Sequence, residues 1–276
     1  MAVIVKSSSD GIDRVRAAVG SEKTRRLEAV TAAFEAAAIA YSGGVDSTLL
    51  AYLLARVFKK RVKAVLVKSP FLAAREEAAA LCVAAALQLP LEVLSVNLLA
   101  EAAVRENGPD RCYRCKAVLM ETVLQKVDEG WGVVDGSHAG DAEKDRPGRK
   151  ALGEKGVLSP LALAGWAKED IRRTARAVGL PNWNKPSQSC LATRIPHGTP
   201  LDMDLLKRIE AAEDFLHETG CRHVRVRWIS GSAKIQLGSA DIPIVKDAAV
   251  HARLLSHMKQ LGFSQIFVDP APYPTD

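Results

Sequence analysis

The sequence predicts an α/β fold, in which a parallel-sheet domain precedes a smaller C-terminal α+β domain. Three observations predict it. Short apolar runs alternate with Ala-rich helical segments as far as residue 178, the pattern of β–α–β units whose sheet is covered on both faces. The first of those runs passes directly into Gly43 and Gly44. Residues 179–200 then hold Pro181, Pro186, Pro196, Gly198 and Pro200 and cannot form a regular element.

The elements follow in order. Leu27, Val30, Ala33 and Phe34 recur at helical spacing, so a helix is expected at 21–35. Residues 37–41 read as a short buried strand that ends at Ser42. A helical pattern covers 47–58, a β-branched strand 62–67, an Ala-rich helix 72–87 and a third strand 91–96. A helix is expected at 115–127 and a strand at 132–134. Residues 135–156 mix Gly and Pro with polar side chains and read as a loop near the strand ends, where functional groups commonly sit. A helix at 168–178 leads into the proline-rich segment. The domain junction is placed there, giving a first domain at 1–185 and a second at 186–276. The second reads as a helix at 202–219, strands at 223–229 and 233–237, a helix at 250–261 and a strand at 265–268.

Composition narrows the function classes. The 276 residues are 48% hydrophobic and 25% charged, which excludes a disordered tail, a collagen-like repeat and a disulfide-stapled mini-domain. Thirty-eight basic against 32 acidic residues leave +6. That surplus favours an anionic partner such as a nucleotide and is too mild to indicate nucleic acid. No apolar run approaches the roughly 18 residues of a membrane span, because Glu35, Glu76 and Glu77 interrupt the Ala-rich stretches. Five cysteines and no secretory h-region suggest a reducing, cytoplasmic setting.

The most informative segment is Ser42-Gly43-Gly44-Val45-Asp46-Ser47-Thr48, between the first strand and a helix. Two glycines let backbone approach a bulky anion, their N–H groups can form a nest, and the helix N-terminus adds its positive dipole end. The hydroxyls of Ser42, Ser47 and Thr48 can donate to phosphate oxygens. Asp46 reads as a Mg²⁺ ligand or as the cap of the helix. The segment matches neither G-x-x-x-x-G-K-[ST] nor G-x-G-x-x-G, so the kinase, GTPase and dinucleotide readings lose support. It resembles the loop of the ATP pyrophosphatase (PP-loop) family, whose members split ATP between the α and β phosphates.

A second chemistry resides in cysteine. Cys112 and Cys115 form a C-x-x-C beside Arg111, Arg114 and Lys116, a basic setting that favours thiolates. Cys190 lies in the proline-rich segment, close to Arg194, and is a candidate reactive thiol. Cys82 reads as a small buried hydrophobe on a helix, and Cys221 receives no role. Cys112, Cys115 and Cys190 can hold an iron–sulfur cluster by three irons and leave the fourth open to sulfide. A redox disulfide between Cys112 and Cys115, a Cys₃His zinc site with His138 or His197, and no cofactor at all remain open beside it.

Taken with Asp135-Gly136-Ser137, Asp145-Arg146-Pro147-Gly148 and the run from Cys190 through Arg194 to Gly198, the chain resembles the LarE-type sulfur transferases of the PP-loop family, across nearly its whole length. The resemblance implies an enzyme that uses ATP and Mg²⁺ to adenylate a pyridine carboxylate mononucleotide, AMP being displaced by sulfur to give the thiocarboxylate of a nickel-pincer nucleotide. It implies a [4Fe-4S] cluster on Cys112, Cys115 and Cys190, in place of the sacrificial cysteine of members that lack the C-x-x-C. A sulfide donor, a trimer-based, hexameric homo-oligomer and no nucleic-acid or membrane partner are also implied. By the same resemblance Lys68 and Ser69 contact adenosine, and Arg146 contacts phosphate or the acyl-adenylate. Arg225 and Arg227 alternate along one strand and share a face, where their guanidinium forks can bind the substrate phosphate with Thr193 and Arg194. Glu213 resembles an acidic family position, whereas Gln236 stands where relatives often carry an acid. A tRNA thiolase of the PP-loop family, sacrifice of the Cys190 sulfur, an ATP-dependent synthetase of the NAD- or GMP-synthetase type and a non-catalytic nucleotide-binding module are the competing readings.

Overall fold

The computed structural model describes residues 8–142 and 147–273. In chain order the elements are α1 (Ser8–Val19), α2 (Ser21–Thr31), β1 (Ala36–Ala40), α3 (Val45–Tyr52), β2 (Arg61–Lys68), α4 (Ala74–Ala86), β3 (Leu91–Ser95), α5 (Ala102–Arg105), α6 (Arg111–Leu124), β4 (Gly132–Asp135), α7 (Ala139–Ala142), α8 (Pro147–Glu154), α9 (Pro160–Leu163) and α10 (Lys168–Ala177). After a 3-10 turn at Leu191–Arg194 come α11 (Met203–Glu218), β5 (Val224–Ile229), β6 (Ser232–Leu237), α12 (Ile242–Lys246), α13 (Ala248–Gln260) and β7 (Ile266–Val268). Two compact units result. One comprises Met1–Ser69, Glu76–Val96 and Cys112–Lys185, the other Pro70–Arg75, Asn97–Arg111 and Pro186–Asp276. The division is therefore not a single cut in sequence.

The first unit is built on a four-stranded parallel sheet in the order β3-β2-β1-β4. β1 is Ala-Ala-Ala-Ile-Ala, with Ala36 to Ile39 all buried, and β2 buries Val62, Ala64, Val65 and Leu66. Burial on both faces explains the unbroken apolar runs of β1 and of Ala64–Val67 in β2, which follow an alternating start at Arg61–Lys63. The chain leaves β1 towards β2 and β3, then returns to place β4 on β1's other side, which makes the carboxyl ends of β1 and β4 the switch point where such sheets bind ligands. A cluster of Val65, Met120, Val123, Val133, Leu152 and Val157 packs against Ala38 of β1.

Three expectations change here. The segment 135–156, read as a loop, contains α7 and α8; Ala151 and Leu152 are too few to show a helical period, although Pro147 is a good first helical residue. α6 starts at Arg111 rather than 115, because its first turn is polar and apolar spacing begins only later. Cys82 is exposed, not buried. α4 turns Ala80 and Ala84, four residues apart, to the interior, and Cys82 falls between them on the other side.

In the second unit β5 and β6 form an antiparallel hairpin, and β7 joins β6 in parallel. The hairpin turn uses Ser230 and Gly231, both at positive φ (47° and 88°), as a two-residue turn of this hand requires. Val224 and Val226 of β5 and Ala233, Ile235 and Leu237 of β6 point into a core with Ala212 and Leu216 of α11 and Leu254 and Met258 of α13. The strands' intervening residues, Arg225, Arg227, Lys234 and Gln236, occupy the opposite face. Asp202 accepts from Leu205 N (2.8 Å) and Asp247 from Val250 N (3.0 Å), capping α11 and α13. No described helix is long and apolar enough to cross a membrane.

Cys221 is 2% exposed in this core, and burial pushes its thiol above the ordinary range. Brief alkylation of the folded protein at neutral pH is expected to modify the exposed Cys82, Cys112 and Cys190 and to spare Cys221. Peptide mass spectrometry reads the result; early labelling of Cys221 contradicts the placement.

Candidate active site

The phosphate loop leaves β1 where Tyr41 N donates to Val65 O of β2 (2.9 Å). Gly43 follows at φ +70°, and a Cβ there would lie 2.4 Å from Ala80 Cβ and 2.6 Å from Ala80 Cα of α4. Opposite, a Cβ on Gly136, just after β4, would lie 2.7 Å from Ser47 N. Backbone is therefore packed on backbone on two sides of the loop, and both positions require glycine.

The loop's hydroxyls bind the loop itself. Ser47 Oγ accepts from Ser42 N (3.2 Å), lies 3.2 Å from Ser42 Oγ and donates to Gly44 O (3.3 Å). Gly44 N donates to Ser42 Oγ (3.3 Å). Asn182, buried beyond α10, donates from Nδ2 to Gly43 O and to Thr48 Oγ1, each at 3.0 Å. Sequence reasoning missed Asn182; it sits 134 residues from Thr48, inside a proline-rich segment with no periodicity.

Asp46 does not cap α3. Gly44 is the N-cap residue, and both Asp46 carboxylate oxygens accept from Lys168 Nζ, the first residue of α10, at 2.7 Å each. Lys168 too was missed, since one lysine ahead of an amphipathic helix looks like a solvated charge. At the end of β2, Lys68 pairs with Glu77 of α4 (2.9 Å), and Ser69 follows it. At the end of β4, Asp135 accepts from Ser137 Oγ and Ser159 Oγ, both at 2.6 Å, and so shapes the turn that presses Gly136 on α3. His138 donates its backbone N–H to Asp141 Oδ2 (3.1 Å). Arg146 lies outside the described residues.

Cys112 and Cys115 occupy the first turn of α6, one helical turn apart; Cys112 is exposed and Cys115 half-buried. None of the cysteines, all of which are described, is in a disulfide. Among the described residues no group of three or more His, Cys, Asp or Glu is arranged to hold a metal ion. Thiols are the donors that iron–sulfur clusters take, and of the three candidates Cys112 and Cys115 belong to the first unit and Cys190 to the second.

In the second unit Cys190 immediately precedes the 3-10 turn, and Arg194 closes that turn. Arg194, 3% exposed, donates from Nε to Glu213 Oε1 (2.8 Å) and from Nη2 to Glu213 Oε2 (3.1 Å). Its Nη1 donates to Ser189 O (2.9 Å), Cys190 O (3.3 Å) and Thr193 Oγ1 (3.0 Å). Thr193 Oγ1 in turn donates to Cys190 O (2.7 Å). Arg194 and Thr193 are thus engaged in holding the backbone around Cys190. Asn107 and Arg111 secure the same segment from another side, Asn107 Nδ2 donating to Pro196 O (2.8 Å) and Arg111 Nη1 to Ala192 O (2.9 Å). Asn107 carried no sequence signal, and Arg111, read as part of the basic setting of the two cysteines, is instead buried with its guanidinium on Asn107 Oδ1 (2.7 Å) and Ala192 O.

Arg225 and Arg227 do share the face of β5 turned away from its core, and both are half-buried. Arg227 donates from Nε to Gln236 Oε1 (2.6 Å) and from Nη1 to Thr193 O (3.2 Å). Arg225 lies 4.2 Å under the ring of Tyr273. Burial, with Arg194 and Arg227 nearby, pulls its pKa below the usual arginine range. Among the described residues no carboxylate or carbonyl accepts a hydrogen bond from Arg225. Arg194 and Arg227 thus lie near Arg225, and Glu213 is bonded to Arg194 alone of the three, so an anion beside Arg225 would offset their mutual repulsion.

Residues 24–115 match the NAD synthase family. Over 255 residues the chain is 34% identical to an uncharacterized protein of Synechocystis, covering 91% of this chain and 94% of that one. Over 237 residues it is 31% identical to the pyridinium-3,5-bisthiocarboxylic acid mononucleotide synthase of Lactiplantibacillus plantarum, covering 84% of each. The chain belongs to the LarE-type family. An uncharacterized protein of Methanocaldococcus jannaschii is 30% identical over 236 residues, 84% of this chain and 88% of its own. As a LarE-type protein with a PP-loop domain, the chain is an ATP-dependent enzyme.

Two outcomes follow from the geometry. Gly43→Ala forces a Cβ at positive φ into α4 and is expected to weaken ATP binding about five- to 150-fold in calorimetry, since a strained loop costs on the order of 1–3 kcal/mol. Glu213→Ala leaves Arg194 buried without its carboxylate and is expected to lower stability by about 3–5 kcal/mol in urea unfolding. A loss below about 1 kcal/mol would show that the pair is not buried as described.

Proposed function

We propose that the chain adenylates a pyridinium carboxylate mononucleotide with ATP and converts it to the thiocarboxylate, a step in assembling a nickel-pincer nucleotide. The reading is carried by the 31% identity, spread over 84% of both chains, to the Lactiplantibacillus plantarum synthase. The phosphate loop at the sheet's switch point supports the ATP half-reaction.

In the first half-reaction a substrate carboxylate oxygen attacks the ATP α-phosphorus, and the bond to the β-phosphate's bridging oxygen breaks. Pyrophosphate leaves. The backbone of Gly43 and Gly44 and the N-terminus of α3 face the charge that develops on it. Ser42, Ser47 and Asn182 keep that backbone in shape through the bonds described above. Mg²⁺, when bound, would neutralise phosphate charge, and we assign it to the Asp46 carboxylate, which Lys168 would first have to release. Lys68, Ser69 and Arg146 are assigned to the adenylate.

In the second half-reaction sulfur forms a bond to the acyl carbon and AMP leaves with its oxygen. We assign the substrate phosphate to Arg225 and Arg227, with Thr193 and Arg194 fixing the backbone beside them. Cys112, Cys115 and Cys190 are assigned to a [4Fe-4S] cluster, which when bound supplies a position for the sulfide to be transferred. The exposure of Cys190 also favours a second reading, in which its own sulfur is surrendered.

Anaerobically purified protein, ATP and pyridinium-3,5-biscarboxylic acid mononucleotide test the reading. AMP, pyrophosphate and a thiocarboxylate by mass spectrometry are expected, together with protein-bound iron and sulfide. No AMP above a substrate-free control would refute the adenylation. Undiminished repeated turnover by iron-free protein would refute the cluster, and loss of the elements of H₂S at Cys190 would establish the sacrificial route. A trimer-based assembly is part of the same proposal, and sedimentation velocity measures it.

A further inference from the structure

The pairing of Lys168 with Asp46 has a consequence for the order in which ligands bind. It rests on reading the loop as an ATP–Mg²⁺ site and concerns how that site is controlled. Lys168 Nζ lies 2.7 Å from both oxygens of Asp46, and the two side chains are only 18% and 26% exposed. Asp46 also stands in the first turn of α3, where the helix's positive end favours its charge. The carboxylate is thus neutralised from two sides and its lone pairs are directed at an ammonium.

Mg²⁺ requires oxygen lone pairs at about 2.0–2.1 Å and gives up its waters reluctantly. A bare divalent cation at Asp46 would have to displace the ammonium, or sit beside it and be repelled. A triphosphate removes both obstacles. It offers the three donors of the ammonium new anionic acceptors, and it brings phosphate oxygens that complete the coordination of the metal. A compact ammonium on a flexible four-carbon stem can make that exchange while its Cα stays in α10.

We propose that Lys168 is a resident counter-ion that holds Asp46 closed to a free divalent cation and yields it to a cation arriving as its nucleotide complex. Metal and nucleotide then bind with positive coupling, each raising the affinity for the other. An unproductive site loaded with metal alone is avoided, and Asp46 does not repel the incoming triphosphate.

The anchor of α10 does not depend on this pair. Asp170 accepts from Ala167 N (3.0 Å) and pairs with Lys23, so neutral substitutions at 168 leave the helix start held. The test is titration of the full chain with Mn²⁺, followed by the metal's electron paramagnetic resonance signal, without nucleotide. Lys168→Met and Lys168→Gln are expected to bind Mn²⁺ at least about tenfold tighter than the parent protein, which converts to about 1.4 kcal/mol. Lys168→Arg is expected to keep the weak binding, and adding Asp46→Asn to Lys168→Gln to erase the gain. With ATP present, the rise in Mn²⁺ affinity is expected to be larger for the parent than for the neutral variants. Equal Mn²⁺ affinity in the parent and both neutral variants, or a gain that survives Asp46→Asn, would overturn the proposal. The titration uses neither pyridinium substrate nor sulfur donor, so its outcome is separate from that of the sulfur-transfer reading.

Discussion

Backbone meeting backbone around the phosphate loop is the constraint on which the first unit depends. Gly43 approaches α4 at Ala80, and Gly136 approaches the amide of Ser47, at distances that exclude any Cβ. Because the strands beneath are parallel and buried on both faces, their carboxyl ends converge there, and the small residues of β1 leave room for helices on either side. A loop packed this closely has little room to shift. Its N–H groups are held in place before an anion arrives, which is what makes electrostatic stabilisation effective.

The second unit reaches rigidity by a polar route. Arg194 and Glu213 are both almost wholly removed from water, a costly arrangement whose charges and lone pairs must be satisfied together. Glu213 accepts two bonds from Arg194 and one from Val226 N, while the remaining guanidinium nitrogen takes up carbonyls of Ser189 and Cys190. One ion pair therefore ties α11, β5 and the turn after Cys190. Arg225 and Arg227 extend from the neighbouring face, and Tyr273, held by its N–H donating to Leu237 O (2.7 Å), lies over Arg225. Arg194, Arg225 and Arg227 against Glu213 thus leave a local surplus of positive charge in a chain of net charge +6.

Much of the scaffold was legible because its signals are local. The strand-to-glycine transition at 41–44, the Ala-rich helices and the alternation of Val224, Arg225, Val226 and Arg227 each follow from a periodicity or a backbone requirement within a few residues. What could not be read is what needs distance. Lys168 and Asn182 act on a loop more than a hundred residues away, as Asn107 and Arg111 act on the segment near Ala192. Cys82 was misread because an Ala-rich helix looks apolar all round when only the Ala80–Ala84 side is covered. The helices within 135–156 were hidden by their shortness, four residues in α7 and eight in α8, and by the glycine in each first turn.

By itself the sequence determined the fold class, the glycine loop for a polyphosphate and the inventory of cysteines and arginines, since composition and short-range pattern specify which chemistry is possible. Tertiary structure alone decided how that inventory is employed. It turned the loop serines inward on their own backbone, gave Asp46 to Lys168 instead of to a helix cap, and set Arg194 to hold the Cys190 turn. The physical reason is that a polar side chain's role is settled by whichever partner burial brings within hydrogen-bonding distance, and that partner is chosen by the fold.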